Sequence, residues 1–219
     1  MLSPLVGCIA GLALAAGVLA RNPGGRAHRA FAGFAATLAV WCVAVYQFRA
    51  APDADAAQRW QLLVYATLFV SPALFYHLAH AVAGLPDRAD AVVVYVVSLA
   101  ALLAAATRFD LVVRGVTHTP AGWVPLGGPL AALWFFVAVL ITLLTFVPLG
   151  RGLRRAPRRR PLALLAVATV IRLLAPLVVF GSVLLAARGV ITRPPPPIAV
   201  ETSLLVAALA AVATLDTGS

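Results

Sequence analysis

In the stretch SPALFYHLAH, residues 71–80, a proline, a tyrosine and two histidines interrupt a long apolar run. His77 and His80 stand three positions apart, which puts both imidazoles on one face of a helix and suits two ligands of a divalent metal. A metal needs further ligands, and no cysteine or carboxylate stands close to the pair in sequence, so no metal is expected. Polar packing is the competing reading. Pro72 removes a backbone hydrogen bond and permits a kink, Tyr76 offers a hydroxyl to the bundle interior, His77 hydrogen-bonds across to a neighbouring helix, and His80 snorkels to the headgroups. The stretch then reads as the bent part of a signalling helix.

Arg172 and Glu201 are the other ionisable residues placed within apolar runs. Such residues are costly in a membrane and usually face the bundle interior. Counted from Pro161 at about 1.5 Å per residue, Arg172 falls close to the bilayer midplane, and Glu201 lies about one turn in from the opposite end of the next run. The depths differ by roughly 7 Å, within reach of a guanidinium. The two are expected to pair, or to share one polar pocket, either as a packing device or as a ligand contact. Tyr65 and Trp134 are candidate lining residues of the same outer-half pocket, with Thr67, Tyr95 and Ser98 as further polar groups; each serves equally well as an interhelical contact. Pro176, one turn beyond Arg172, is a weak point in its helix.

The chain has 219 residues, 63% hydrophobic and 11% charged, with mean hydropathy +0.99. Soluble domains are roughly half apolar and a quarter charged, so the solvent for this surface must be largely lipid. The net charge is +10, carried by arginines alone. They fall between apolar runs, where lipid headgroups and topology explain them, and no nucleic-acid partner is expected. With no lysine at all, a retinal Schiff base cannot form. There is no glycine-rich phosphate loop, no paired carboxylates and no GxSxG, so neither catalysis nor a cofactor is expected. Cys8 and Cys42 both lie in apolar runs and read as small packing residues.

A bilayer core needs about 20 apolar residues per helix. Seven runs qualify, at about 2–20, 30–48, 60–83, 90–107, 128–149, 161–187 and 197–215. The expectation is an all-α integral membrane protein, one seven-helix bundle over residues 1–219. An N-terminus outside and a C-terminus in the cytoplasm put ten arginines in inside loops and six in outside loops. The segment RGLRRAPRRR, with Arg151, Arg154, Arg155, Arg158, Arg159 and Arg160, decides that orientation and is expected to touch anionic lipid or a cytoplasmic partner. The first run has its arginines after it, which favours an uncleaved helix over a signal peptide. Residues 108–127 form the one long outside connection, a lid or a passive connector. Gly7, Gly11 and Ala15 make a small-xxx-small row that suits packing within the bundle or a homodimer seam.

The order of four segments is similar to one family. ARNPGGRAHRAFAGFAATLAVW, APDADAAQRW, LFVSPALFYHLAHAVAG and GWVPLGGPL together resemble the N-terminal seven-helix membrane region of bacterial sensor histidine kinases. The resemblance rests on Arg21-Asn22-Pro23, on Trp41 in the second run, and on Pro72 through His77 in the third. It implies a multi-pass protein of the bacterial inner membrane, an input domain that senses a small or lipophilic signal for a cytoplasmic kinase or cyclase. Such output domains usually follow the seventh helix, whereas the chain given ends at Ser219; an excised module with Gly218-Ser219 as its scar and a stand-alone protein are both open readings. A small transporter or permease and a membrane partner subunit are the alternatives; no internal inverted repeat supports the former.

The orientation has a direct test. With residues 151–160 in the cytoplasm, Arg155→Cys should resist a membrane-impermeant thiol reagent added to intact cells and react only after permeabilisation. Labelling from outside would reverse the topology.

Overall fold

A computed structural model describes residues 3–86, 89–119, 122–155, 159–187 and 198–217. Among the described residues 83% are helical. Helices α1 (Ser3–Arg21), α2 (Arg26–Ala50), α3 (Ala54–Val82) and α4 (Ala89–Thr107) come first, then a short α5 (Phe109–Val112). Strands β1 (Val113–Thr119) and β2 (Gly122–Gly127) follow, and then α6 (Ala131–Leu144), α7 (Phe146–Arg155), α8 (Arg160–Ala187) and α9 (Ile198–Leu215). Four stretches are long and apolar enough to cross a bilayer, Pro4–Arg21, Arg26–Ala50, Ala54–Val82 and Ala131–Arg155, and the shorter apolar helices include Ala91–Thr107 and Thr202–Leu215. The membrane-like, mainly helical architecture expected from composition is present.

The helix ends follow from local chemistry. The carboxylate of Asp53 accepts the Ala56 amide at 2.7 Å and opens α3. At its other end Gly84 takes φ +64°, while the Gly84 amide donates to Ala81 O and the Leu85 amide to His80 O, a Schellman closure. Pro148 cannot donate to the carbonyl of residue 144 and its ring crowds that carbonyl. The stretch Ala131–Arg155 accordingly divides at Thr145, whose amide bonds Thr142 in a tighter turn. Pro72, by contrast, is accommodated inside α3.

Residues 108–119 and 122–130 are not a plain loop, which is the departure from an all-α fold. β1 and β2 pair antiparallel with Val116 opposite Pro125 and His118 opposite Trp123, and the register shifts between Val113 and Gly115. The extra residue there, Arg114, is a bulge that bends the ribbon. Trp123 Nε1 donates to Ala51 O at 2.8 Å, tying the hairpin to the α2–α3 turn. Gly128 lets the chain re-enter the bundle: its amide bonds Val112 O at 2.8 Å, and a Cβ there would collide with the Leu111 carbonyl.

Inside the bundle α2 lies between α1 and α3, α9 packs on α8, α1 and α2, and α3 also meets α4, α6 and α8. One continuous core joins α1, α2, α3, α7, α8 and α9, around Phe31, Phe34, Phe75, Leu78, Leu149, Leu162, Leu165 and the alanines of α9. Three smaller clusters join α3 to α4, α6 and the hairpin base. On α4 the buried stripe is Ala91, Val94, Ser98, Ala101 and Ala105, while Val92, Val93, Val96, Leu99 and Leu103 face outward. Small residues inward let the backbones approach and the branched ones are left to lipid. Gly11 of the small-residue row faces Ala35 and Ala39 of α2, an intramolecular contact.

Most threonine hydroxyls are satisfied within their own helix. Thr37, Thr142, Thr169 and Thr214 each donate to the carbonyl four residues earlier, and Thr67 to Val64 O. Thr67, expected to line a cavity or bridge helices, donates within α3 instead.

Gly128→Ala is expected to destabilise the folded protein by about 2 kcal/mol through that overlap, seen as a lower midpoint of unfolding in sodium dodecyl sulfate. Gly150→Ala, whose Cβ would meet nothing within 4 Å, should leave the midpoint unchanged or raise it. Equal effects would separate the hairpin from the stability of the bundle.

Candidate functional site

α3 carries two sets of side chains on opposite faces. Ser71 and Phe75 are one turn apart and point to α2 and α8; Tyr65, Phe69, Ala73 and Tyr76 point to α4, α6 and the hairpin. Phe69 and Ser71, two positions apart, fall about 200° apart around the helix axis.

The first face holds Arg172 of α8. Its Nη2 donates to Ser71 Oγ at 2.8 Å. The guanidinium carbon lies 5.5 Å from the ring centroid of Phe34 on α2 and 5.6 Å from that of Phe75 on α3. Those rings touch each other at 5.0 Å between centroids, tilted by 53°, and both are 0% exposed. A cation over a desolvated aromatic face gains about 2 kcal/mol or more. The arrangement thus bolts three helices together around one charge. The alternative for that charge is apolar hydrocarbon, where it costs several kcal/mol.

The expected partner of Arg172 was Glu201. The Glu201 side chain and that of Pro176 lie outside the described residues. Among the described residues Arg172 makes no ion pair with a carboxylate; its one hydrogen bond goes to Ser71. Nothing in residue order singled out Ser71 or the two phenylalanines as its shell. Only their spacing, Ser71 and Phe75 at i and i+4, was a signal that could have been read.

The second face does not converge on Arg172. Tyr65 meets Phe109 edge-on at 6.1 Å, and Trp134 meets Phe69 edge-on at 5.9 Å. The single outer pocket expected from Arg172, Tyr65 and Trp134 is therefore divided by the body of α3. Trp134 lines a cleft of about 130 Å³ with Ala104, Thr107, Arg108, Leu111, Val112 and Leu130, and its indole Nε1 is covered without an acceptor among the described residues. Arg108 at the rim is engaged with Asp110 at 3.4 Å.

The histidines separate as well. His80 is 1% exposed and its Nε2 lies 3.1 Å from the Tyr76 hydroxyl, with the rings 4.9 Å apart. It does not snorkel: one turn of helix places it beside Tyr76, under the covering side chains. His77 is half-buried, its ring 6.0 Å from that of Tyr95 on α4. Its Nδ1 has no hydrogen-bond partner among the described residues, so the contact across to α4 is one of rings. Among the described residues no group of three or more His, Cys, Asp or Glu is arranged to hold a metal.

At the far end Arg151, Arg154, Arg155, Arg159 and Arg160 are exposed, and Arg158 lies outside the described residues. Arg160, at the start of α8, pairs with Asp216 just past α9 at 3.6 Å. Asp216 was not foreseen as a partner, because its helix is the last and the sequence distance is large.

The chain belongs to the family described as the N-terminal 7TM region of histidine kinase, whose family model matches residues 3–215. No curated protein matches the chain.

A double-mutant cycle of Phe75→Leu and Arg172→Met should show a coupling of about 1–2 kcal/mol in unfolding stability. Additive effects would mean that ring and guanidinium stabilise the bundle independently.

Proposed function

We propose that this chain is the membrane input module of a sensor histidine kinase, in which Arg172 reports occupancy of an intramembrane site to α9 and onward to a cytoplasmic kinase. Membership of the histidine kinase membrane region supplies the class. The observation that carries the mechanism is the Arg172 contact with Ser71, Phe34 and Phe75, because it ties α2 and α3 to α8 through one charge. α8 packs along α9, and Arg160 holds Asp216 where α9 ends. A change of contacts at Arg172 would therefore shift the helix that leads to the output domain.

In this reading α1, α2, α3, α4, the α6–α7 pair, α8 and α9 are seven crossings, with the N-terminus outside and the arginines of residues 151–160 in the cytoplasm of a bacterial cell. α4 has 19 residues and α9 has 18, about 28 Å and 27 Å of helix, close to the roughly 30 Å of a hydrocarbon core. The hairpin then caps the outer end, and the exposed arginines meet anionic lipid. Catalysis is left to the kinase; the membrane region contributes the stimulus.

The test is kinase autophosphorylation in inverted membrane vesicles that contain the full sensor. Arg172→Leu should change the rate several-fold, while Arg154→Gln, on the exposed surface, should leave it near the parent value. An unchanged rate for Arg172→Leu, or uptake of solute by proteoliposomes of the purified chain, would remove the sensor reading.

A further inference from the structure

We propose that the groove between the first turns of α3 and the short helix α5 binds a free amino acid with an apolar side chain, held as its zwitterion. This goes beyond the sensor reading and does not depend on it. Leu62 in the groove stands nine positions before Ser71, half a turn around the axis of α3, so the groove opens on the face turned away from Arg172.

Asp55, Gln58, Arg59, Leu62 and Phe109 line a space of about 300 Å³, at the lower end of small-molecule sites. The four residues of α3 follow at i, i+3, i+4 and i+7 and form one stripe. Its order along the axis is acid, amide, base, hydrocarbon: Arg59 lies about 6 Å beyond Asp55, and Leu62 about 4.5 Å beyond Arg59. Phe109 of α5 adds the second apolar wall. Its ring meets that of Tyr65 edge-on at 6.1 Å, and both pack against the buried cluster of Ala105, Val112 and Val113. That wall is therefore set before anything binds. The start of α3 is fixed as well, because Asp53 rather than Asp55 caps it.

Charge selects the ligand. One carboxylate and one guanidinium line the groove, so a lone anion meets Asp55, and a lone cation Arg59, with the wrong sign. Both side chains are exposed, and an exposed pair four positions apart is held too weakly to resist a ligand that brings each its counter-charge. A zwitterion presents its ammonium to Asp55 and its carboxylate to Arg59, whose guanidinium takes it through two parallel hydrogen bonds. Gln58 between them can donate or accept. The ethanolamine headgroup of a lipid carries the same two charges, but a glycerol ester unit separates its phosphate from the first acyl methylene. Leu62 lies less than one turn beyond Arg59. That short step fits a side chain borne on the same carbon as the ammonium and the carboxylate.

The probe is para-fluoro-L-phenylalanine, followed by fluorine NMR as it is titrated into the full chain in phosphatidylcholine nanodiscs at neutral pH. Two analogues keep the ring and lack one charge each, para-fluorophenethylamine and para-fluorophenylpropionate. Saturable binding of the amino acid is expected, about tenfold or more tighter than that of either analogue. Arg59→Gln should remove its advantage over the amine, and Asp55→Asn its advantage over the acid. Both positions are exposed and neither caps α3, so both variants should fold. Arg172→Leu should bind the probe like the parent, which separates this site from the sensor reading. Nanodiscs that contain phosphatidylethanolamine should give the same affinity; loss of binding there would make the lipid headgroup the occupant and overturn the proposal. No saturable binding, an analogue bound as tightly as the amino acid, or undiminished binding by Arg59→Gln or Asp55→Asn would overturn it too.

Discussion

Hydrocarbon offers no hydrogen bonds, so every polar group in the span of this protein must find its partner within the protein. That constraint organises most of what is seen. The backbone closes on itself in helices, and where α3 stops, a Schellman turn through Gly84 recovers the last carbonyls. Threonine hydroxyls fold back onto their own helices. Where the chain leaves helical form after α4, it pairs as a hairpin, and Gly128 brings the exit close enough to bond Val112. A side chain with several donors at the end of a long stem cannot be satisfied in this local way. Arg172 is that side chain, and it draws on two other helices.

The consequence is a bundle with two unlike halves on either side of α3. Toward α2, α8 and α9 the packing is one continuous core, with Arg172 against two fully buried rings. Toward α4, α6 and the hairpin it is a set of small clusters, where Ser98, Trp134 and His77 each have a covered polar atom without a hydrogen-bond partner among the described residues. Unmet donors and acceptors weaken the side that holds them, since each leaves a desolvation cost uncompensated. Pro72 sits in α3 between the two, next to Ser71, where its missing amide loosens the helix that both halves share.

Several elements could be read before any coordinates. The apolar runs, the arginine-rich segment and the family are properties of composition and order, and they survive any rearrangement of the helices in space. The polar positions were legible as well: Arg172, Tyr76, His77, His80 and Trp134 stood out because an ionisable or aromatic donor in an apolar run is rare. Their partners were not. His80 was assigned to the headgroups by counting residues from the helix start, yet it is buried beside Tyr76, because depth along the axis says nothing about rotation around it. Tyr65 and Trp134 were grouped with Arg172 by depth for the same reason, and α3 stands between them.

By itself, then, the sequence determined that this is a membrane protein of helices and which of its residues are out of place in lipid, since transfer free energy depends on residue type and run length alone. It determined the family through segments spread along nearly the whole chain. The tertiary structure alone decided which residues meet: Ser71, Phe34 and Phe75 around Arg172, Tyr76 against His80, Trp123 on Ala51, Asp216 against Arg160. These contacts join residues as distant in sequence as Ser71 and Arg172, 101 positions apart, and Phe34 and Arg172, further still. They depend on the rotation and neighbour order of helices whose lipid-facing and inward surfaces are almost equally apolar. A periodic pattern cannot orient a helix when both of its faces look alike to the sequence.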